Sequence, residues 1–227
     1  MMNKVNNLKL MNKYIEKYHI DDIFSVGMRE YMELFNFKRG QCICKEDEDI
    51  DYLFFFVEGK AKVYINLKNG RSLLLCFYYP FMVLGDLELI NQTKASTTME
   101  VIEDTYCIGL PFNKVREELL NDAKFLRFIC SSLGNKMDSS SRNGSINLLY
   151  PLENRLASYI MATMGDENRI EFDETLTEIA ELLGTSYRHL LRTINNLVSK
   201  GILRKDKEGY EVIDEEMLSS LAIDLYK

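Results

Sequence analysis

The sequence predicts an α+β chain in three parts: an N-terminal antiparallel β-roll, a long helix suited to pairing, and a C-terminal winged helix-turn-helix. Three observations carry this. Residues 35–110 form short runs of aromatic and β-branched residues punctuated by Gly40, Gly59, Asn69-Gly70 and Gly85. Leu119, Leu126, Leu133 and Ser140 then recur every seven residues. Finally, Thr175–Ile213 reads as helix, turn at Gly184, helix and two-stranded wing.

Taken in order, residues 1 to about 34 carry Leu8, Met11, Ile15 and Tyr18 at near-helical spacing. This predicts helix up to the change of texture at Phe35. Asn69-Gly70, between YINL and RSLLLCFYY, predicts a tight hairpin, because Asn-Gly accepts the positive φ angles of a two-residue turn. Glu58-Gly59, between LFFFV and KAKVYI, predicts a second turn, and the acidic run Glu46–Asp51 a solvated loop. Strands at this spacing with no long helix between them imply an antiparallel roll ending near Leu110, within a first domain of residues 1–112.

Pro111 closes the strands, and a helix is expected from about Asn113 to Gly144. Its heptad stripe, accompanied by Cys130 and Met137, suits pairing with another helix, while Phe125, Phe128 and Ile129 would pack on the chain's own roll. Ser139–Ser141 weaken the stripe and Asn143-Gly144 disfavours continuation, which predicts a hinge within residues 113–148. Residues 149–227 form the third part. Pro151 starts a helix with Leu152, Leu156, Ile160 and Met164 on one face, and Ile170–Phe172 reads as a short strand. Thr175 with Glu178 forms a capping box, Ser186 caps the next helix and Gly201 stops it. The wing falls on Ile202–Arg204 and Tyr210–Ile213, with a last helix from about Asp214.

Composition narrows the classes. The apolar fraction of 46% supports full cores, and no apolar run is long enough to cross a membrane. The Lys- and Asn-bearing N-terminus lacks a secretory signal's apolar core, so a cytoplasmic protein is expected. Five cysteines (Cys42, Cys44, Cys76, Cys107 and Cys130) without a CxxC motif, and two histidines, disfavour a disulfide framework and a zinc site. Cys42 and Cys44 fall on one face of a strand, which leaves open a redox or iron–sulfur role, with ordinary buried or half-buried thiols as the favoured reading. A cupin-like, metal-dependent roll enzyme would need several histidines or carboxylates converging, and residues 35–110 contain no histidine; neither a Ser-His-Asp arrangement nor a Walker loop is present.

The helix-turn-helix is where charge is most informative. Net charge is −7, yet between Leu182 and Lys205 there is no acidic residue, while Arg188, Arg192, Lys200, Arg204 and Lys205 are positive. Phosphates respond to that local field, so the stretch is suited to DNA. Tyr187, Arg188, Leu191, Arg192 and Asn195 share one helical face, opposite Leu190, Ile194 and Leu197.

The order roll, long helix, helix-turn-helix resembles the Crp/Fnr family of bacterial transcription regulators, over nearly the whole chain. LFFFVEGKAKVY is similar to the family's strand–turn–strand with Gly59 in the turn, and GDLELI at Gly85–Ile90 looks like the start of its phosphate-binding cassette. SYRHLL at Ser186–Leu191, NGR at Asn69–Arg71 and LND…FLR near Leu120–Arg127 resemble the YeiL-type branch. The resemblance implies a homodimer on a palindromic operator, with RNA polymerase as a further partner and residues 186–200 in the major groove. Tyr187, Arg188 and Arg192 would face bases, and Ser186, His189 and Asn195 would lie nearer phosphates. Many members carry Glu where Arg188 stands, which implies a different half-site.

The resemblance also implies an effector pocket at Gly85, Asp86, Leu87, Lys94 and Ser96, with Ser140 and Ser141 reaching in from the long helix. Asp86 matches the acidic residue that takes a cyclic nucleotide's ribose hydroxyl. The phosphate-binding arginine's place falls on Lys94, Ala95 or Ser96, and no arginine lies between Arg71 and Arg116. Lacking that bidentate grip, the pocket is expected to be degenerate and not controlled by cyclic AMP, with a cyclic-nucleotide response as the alternative. No cysteine precedes Cys42, so the N-terminal cysteine group that holds an iron–sulfur cluster in Fnr-like members has no counterpart. Cys130 on the pairing stripe could meet its symmetry mate and make the dimer redox-sensitive.

Overall fold

The structure is a computed structural model that describes residues 2–68, 70, 72–164, 169–170, 175–205 and 209–222; the side chains of 142–148, 169 and 170 are outside the description. The chain divides into two compact units, Met1–Val63 with Phe77–Asp138, and Tyr64–Cys76 with Ser139–Lys227.

In the first unit a short strand β1 (Asn3–Lys4) precedes helix α1 (Leu8–Lys17), whose N-cap Asn7 accepts the amide of Leu10. The helix is shorter than its sequence suggests. Tyr18 caps it, His19 turns left-handed, and two 3-10 turns at Ile20–Ile23 and Arg29–Tyr31 replace the expected continuation to residue 34. Ile20, Ile23, Phe24, Met28 and Met32 are all buried. Their three-to-four-residue spacing imitates a helix although short turns deliver it.

The sheet runs β1-β2-β7-β4-β5, with β2 at Glu33–Phe37, β4 at Tyr52–Asn66, β5 at Ser72–Tyr78 and β7 at Thr98–Pro111. Two short strands lie off this path: β3 (Cys42–Cys44) pairs with β7, and β6 (Met82–Leu84) with β4. The pairs β1–β2, β2–β7, β3–β7 and β4–β6 are antiparallel. Alternation along β4 sends Leu53, Phe55 and Val57 to a core shared with the helices. Phe54 goes to the other face, edge-on to Phe35 and Phe37.

Glu58-Gly59 is no turn: β4 runs straight through it. Gly59 sits at φ +95°, and a Cβ there would lie 2.6 Å from the Asp104 carbonyl oxygen and 2.8 Å from Thr105 Cα. Only glycine lets β4 kink this close to β7. Of the Asn69-Gly70 hairpin, Asn69 and Arg71 lie outside the described residues; the amide of Gly70 donates to the Leu67 carbonyl, and β4 and β5 are sheet neighbours.

The long helix starts where expected but differs in its continuity and at its C-terminal end. It is two helices, α3 (Phe112–Asn121) and α4 (Ala123–Leu149), broken at Asp122. Asp122 caps α4 by accepting the amides of Lys124 and Phe125, and it accepts both the amide (2.6 Å) and the hydroxyl (2.7 Å) of Ser25. α4 then continues through Ser139–Ser141 and Asn143-Gly144, where the sequence places a hinge, to Leu149. Backbone helical bonding is maintained there despite the poor local propensity.

Burial tends to raise the Asp122 carboxyl, but hydrogen bonds from Ser25, Lys124 and Phe125 outweigh it and hold the pKa at about 2. A depressed folded pKa means the stabilisation is present above the unfolded value of about 3.9 and is lost as pH falls through about 2. Asp122→Ala should therefore cost about 2 kcal/mol at pH 7. In urea titrations the gap to wild type should narrow toward pH 2; a pH-independent gap would mean the carboxylate is not the stabilising species.

In the second unit, α5 (Leu152–Thr163) buries Leu152, Leu156 and Ile160. A three-stranded sheet follows in the order β8-β10-β9, with β8 at Arg169–Ile170, β9 at Leu203–Lys205 and β10 at Tyr210–Val212. It forms the wing, one strand larger than the sequence alone suggests; Phe172 lies outside the described residues. Helices α6 (Leu176–Leu182), α7 (Tyr187–Ser199) and α8 (Glu215–Leu221) complete it.

Candidate nucleic-acid interface and effector pocket

α6 opens on the predicted capping box: the Thr175 hydroxyl accepts the Glu178 amide while Glu178 accepts the Thr175 amide. It packs Ile179, Ala180, Leu182 and Leu183 against the inner face of α7, where Leu190, Ile194 and Leu197 are buried. The Arg155 guanidinium of α5 donates to the Leu183 carbonyl, fixing the turn at Gly184. Ser186 caps α7 by accepting the His189 amide at 3.3 Å.

This packing turns one face of α7 outward. Ser186, Tyr187, Arg188, His189, Arg192 and Asn195 are all exposed, with Leu191 half-buried among them. The Thr185 hydroxyl lies 3.2 Å from His189 Nδ1, orienting the ring at the helix's positive end. The five cations are not equivalent. Lys200 is paired with Glu153 at 2.6 Å and Arg204 with Glu211. Lys205 lies over the Tyr210 ring. Among the described residues Arg188 and Arg192 have no ion-pair partner, which leaves both guanidinium groups able to meet base edges or phosphates. Glu153 and Glu211 lie outside the acid-free stretch, so the run of cations alone could not show which were already matched.

The residues expected to line an effector pocket are arranged differently. Gly85, buried at φ +90°, caps the short helix α2 (Asp86–Asn91), and a Cβ on it would collide with the Tyr52 carbonyl oxygen. Asp86 is buried, while Leu87, Lys94 and Ser96 are exposed, as are Ser140 and Ser141. The structure brings Asp86 together with a residue that sequence reasoning missed. Lys136 Nζ of α4 lies 2.6 Å from Asp86 Oδ2, donates to the Val83 carbonyl at 2.7 Å, and stands 5.6 Å from the Tyr78 ring centre. Burial pushes the Glu88 carboxyl above its ordinary range, opposed by backbone N–H bonds from Glu88 itself and from Ser96. No local pattern pointed to Lys136, which stands 50 residues from its partner.

The cysteines carry no assembled site. Cys44 and Cys107 are buried, Cys42 half-buried and Cys130 exposed, and no group of three metal-ligating side chains occurs among the described residues. Burial pushes the Cys44 thiol up to about 12 and raises Cys42, the opposite of what a reactive pair needs. Among the described residues no helix is long and apolar enough to cross a membrane.

A winged helix-turn-helix that exposes a basic helix face, joined by a long helix to an antiparallel roll, defines a DNA-binding regulator. Residues 34–122 match the cyclic nucleotide-binding domain family, and residues 154–221 the Crp-like helix-turn-helix domain. The regulatory protein YeiL of Escherichia coli O157:H7 is 34% identical over 90% of this chain and 92% of its own. The CRP-like cAMP-activated global transcriptional regulator of Mycobacterium tuberculosis H37Rv is 19% identical over 86% of this chain and 91% of its own. In fold, a Crp/Fnr-family protein from Eubacterium rectale superposes with a TM-score of 0.74 at 17% identity, covering 86% of this chain and 91% of that one. The chain belongs to the Crp/Fnr family, and it is a DNA-binding transcription regulator rather than an enzyme.

Proposed function

We propose that this regulator acts in the cytoplasm as a homodimer whose two α7 helices read an inverted-repeat operator without requiring cyclic AMP. The observation that carries the reading is the outward face of α7, where Arg188 and Arg192, beside Tyr187 and Asn195, are exposed and have no ion-pair partner among the described residues. Dimerisation is supported by the outer face of α4. Leu126, Phe128 and Leu133 pack toward the roll, whereas Cys130, Gly134 and Met137 are exposed at helical spacing, Met137 by 71%. Independence from cyclic AMP is supported by the absence of an arginine between Arg71 and Arg116 and by the engagement of Asp86 with Lys136. A cyclic-nucleotide response is the second reading, favoured by the match of residues 34–122 and by the name of the M. tuberculosis relative.

Selection of random duplexes by the purified protein tests this. It should enrich an inverted repeat with half-site centres about 10–10.5 base pairs apart, bound by two chains, equally with and without cyclic AMP. Absence of an enriched repeat would overturn the proposed operator mode. Enrichment only with cyclic AMP would establish the second reading.

A further inference from the structure

Among the described residues, the apolar contacts of α4 with the roll run from Phe125 to Leu133. Phe125 and Ile129 are fully buried, and Leu126, Phe128 and Leu133 are half-buried against the same core. Beyond Leu133 the pattern ends: Gly134, Asn135, Met137 and Asp138 are exposed. Between them stands Lys136, whose ammonium reaches the Asp86 carboxylate at 2.6 Å and the Val83 carbonyl at 2.7 Å. These two acceptors sit on different elements, the start of α2 and the middle of β6, and the Tyr78 ring lies alongside. One side chain therefore gathers three parts of the roll at the last point before α4 continues, past Ser139, into the unit that carries the helix-turn-helix.

We propose that Lys136 is a polar latch that fixes the middle of α4 on the roll and thereby sets the protein's competence for operator binding. The physical basis is the contrast between the two kinds of contact. Apolar contact at Phe125 and Ile129 has no competitor in solution, but a lysine–carboxylate pair on a half-exposed lysine can be displaced by any group that offers Asp86 another donor. Asp86 is 3% exposed, so releasing Lys136 without replacement leaves a buried carboxylate unmatched. The latch is consequently closed by default. Its DNA arm rests on the operator reading proposed above, while its structural arm stands independently of that reading.

Hydrogen–deuterium exchange of residues 133–140 in the full-length protein reads the latch directly, and fluorescence anisotropy on selected and scrambled duplexes reads its consequence. In Lys136→Met, exchange in this segment should rise at least about tenfold. Operator affinity should fall about tenfold with scrambled-duplex affinity unchanged, and Lys136→Arg should recover most of both. If Lys136→Met does not fold, Asp86→Asn combined with Lys136→Met removes the unmatched charge and takes its place, with the same outcomes expected. Unchanged exchange would overturn the latch. Faster exchange with unchanged operator affinity would overturn its link to DNA binding. Failure of the wild-type protein to prefer any duplex would refute the operator reading instead, leaving the exchange result to decide the latch.

Discussion

Phe125→Ala should destabilise the protein by about 3–5 kcal/mol, the range for truncating a fully buried aromatic side chain. Phe125 has no exposed surface and stacks on Phe24 with ring centres 5.8 Å apart; Phe24 in turn meets Phe55 of β4 edge-on. A single aromatic chain therefore joins α4, the N-terminal segment and the central strand. Its loss opens a cavity where three elements meet, and none can close over it without dragging the others. At this size a change of that magnitude should lower Tm by about 6–20 °C. Met137→Ser on the outer face of the same helix, where the side chain is 71% exposed, should leave monomer stability within about 0.5 kcal/mol of wild type. Thermal unfolding of the two variants side by side, at concentrations low enough for the monomer to predominate, checks which face of α4 is core. Equal losses, or a larger loss at Met137, would mean that the helix is rotated from the orientation described.

That comparison touches the point at which sequence and structure part. The heptad Leu119, Leu126, Leu133 is real, but Leu119 and Leu133 pack on the chain's own core, so the periodicity reports burial and not the identity of the partner. The break at Asp122 was hidden for a related reason. A heptad carries across a one-residue interruption, and nothing adjacent in sequence says that Ser25, 97 residues away, will meet the carboxylate. Gly59 was mistaken for a turn because a glycine between two apolar runs looks the same whether the chain reverses or merely kinks beside a neighbouring strand. By contrast the caps at Thr175 and Ser186 and the stop at Gly201 were legible, since each is decided within three or four residues. The candidate sites divide along the same line. The outward face of α7 follows from helical spacing alone, whereas Lys136 reaches Asp86 only through the tertiary fold.

Arg188→Ala and Arg192→Ala are each expected to relax operator preference by about 10- to 100-fold, corresponding to about 1–3 kcal/mol for a bidentate arginine–guanine pair. Both guanidinium groups project from the exposed face of a helix whose inner face is closed by Leu190, Ile194 and Leu197, so truncation should leave the fold intact. Lys200 and Arg204 make informative controls. Each is already paired, with Glu153 and Glu211 respectively, so alanine there should weaken operator and non-operator duplexes alike and modestly. Lysine is a point charge without the planar fork, so Arg188→Lys and Arg192→Lys should retain non-specific affinity but fail to restore preference. Salt titration separates the roles further. Removing a phosphate contact reduces the slope of log K against log salt by about 1, whereas removing a base contact lowers affinity for the selected site and leaves that slope nearly unchanged. Equal losses on every duplex, with a reduced salt slope, would assign both arginines to phosphates and move base reading to Tyr187 and Asn195.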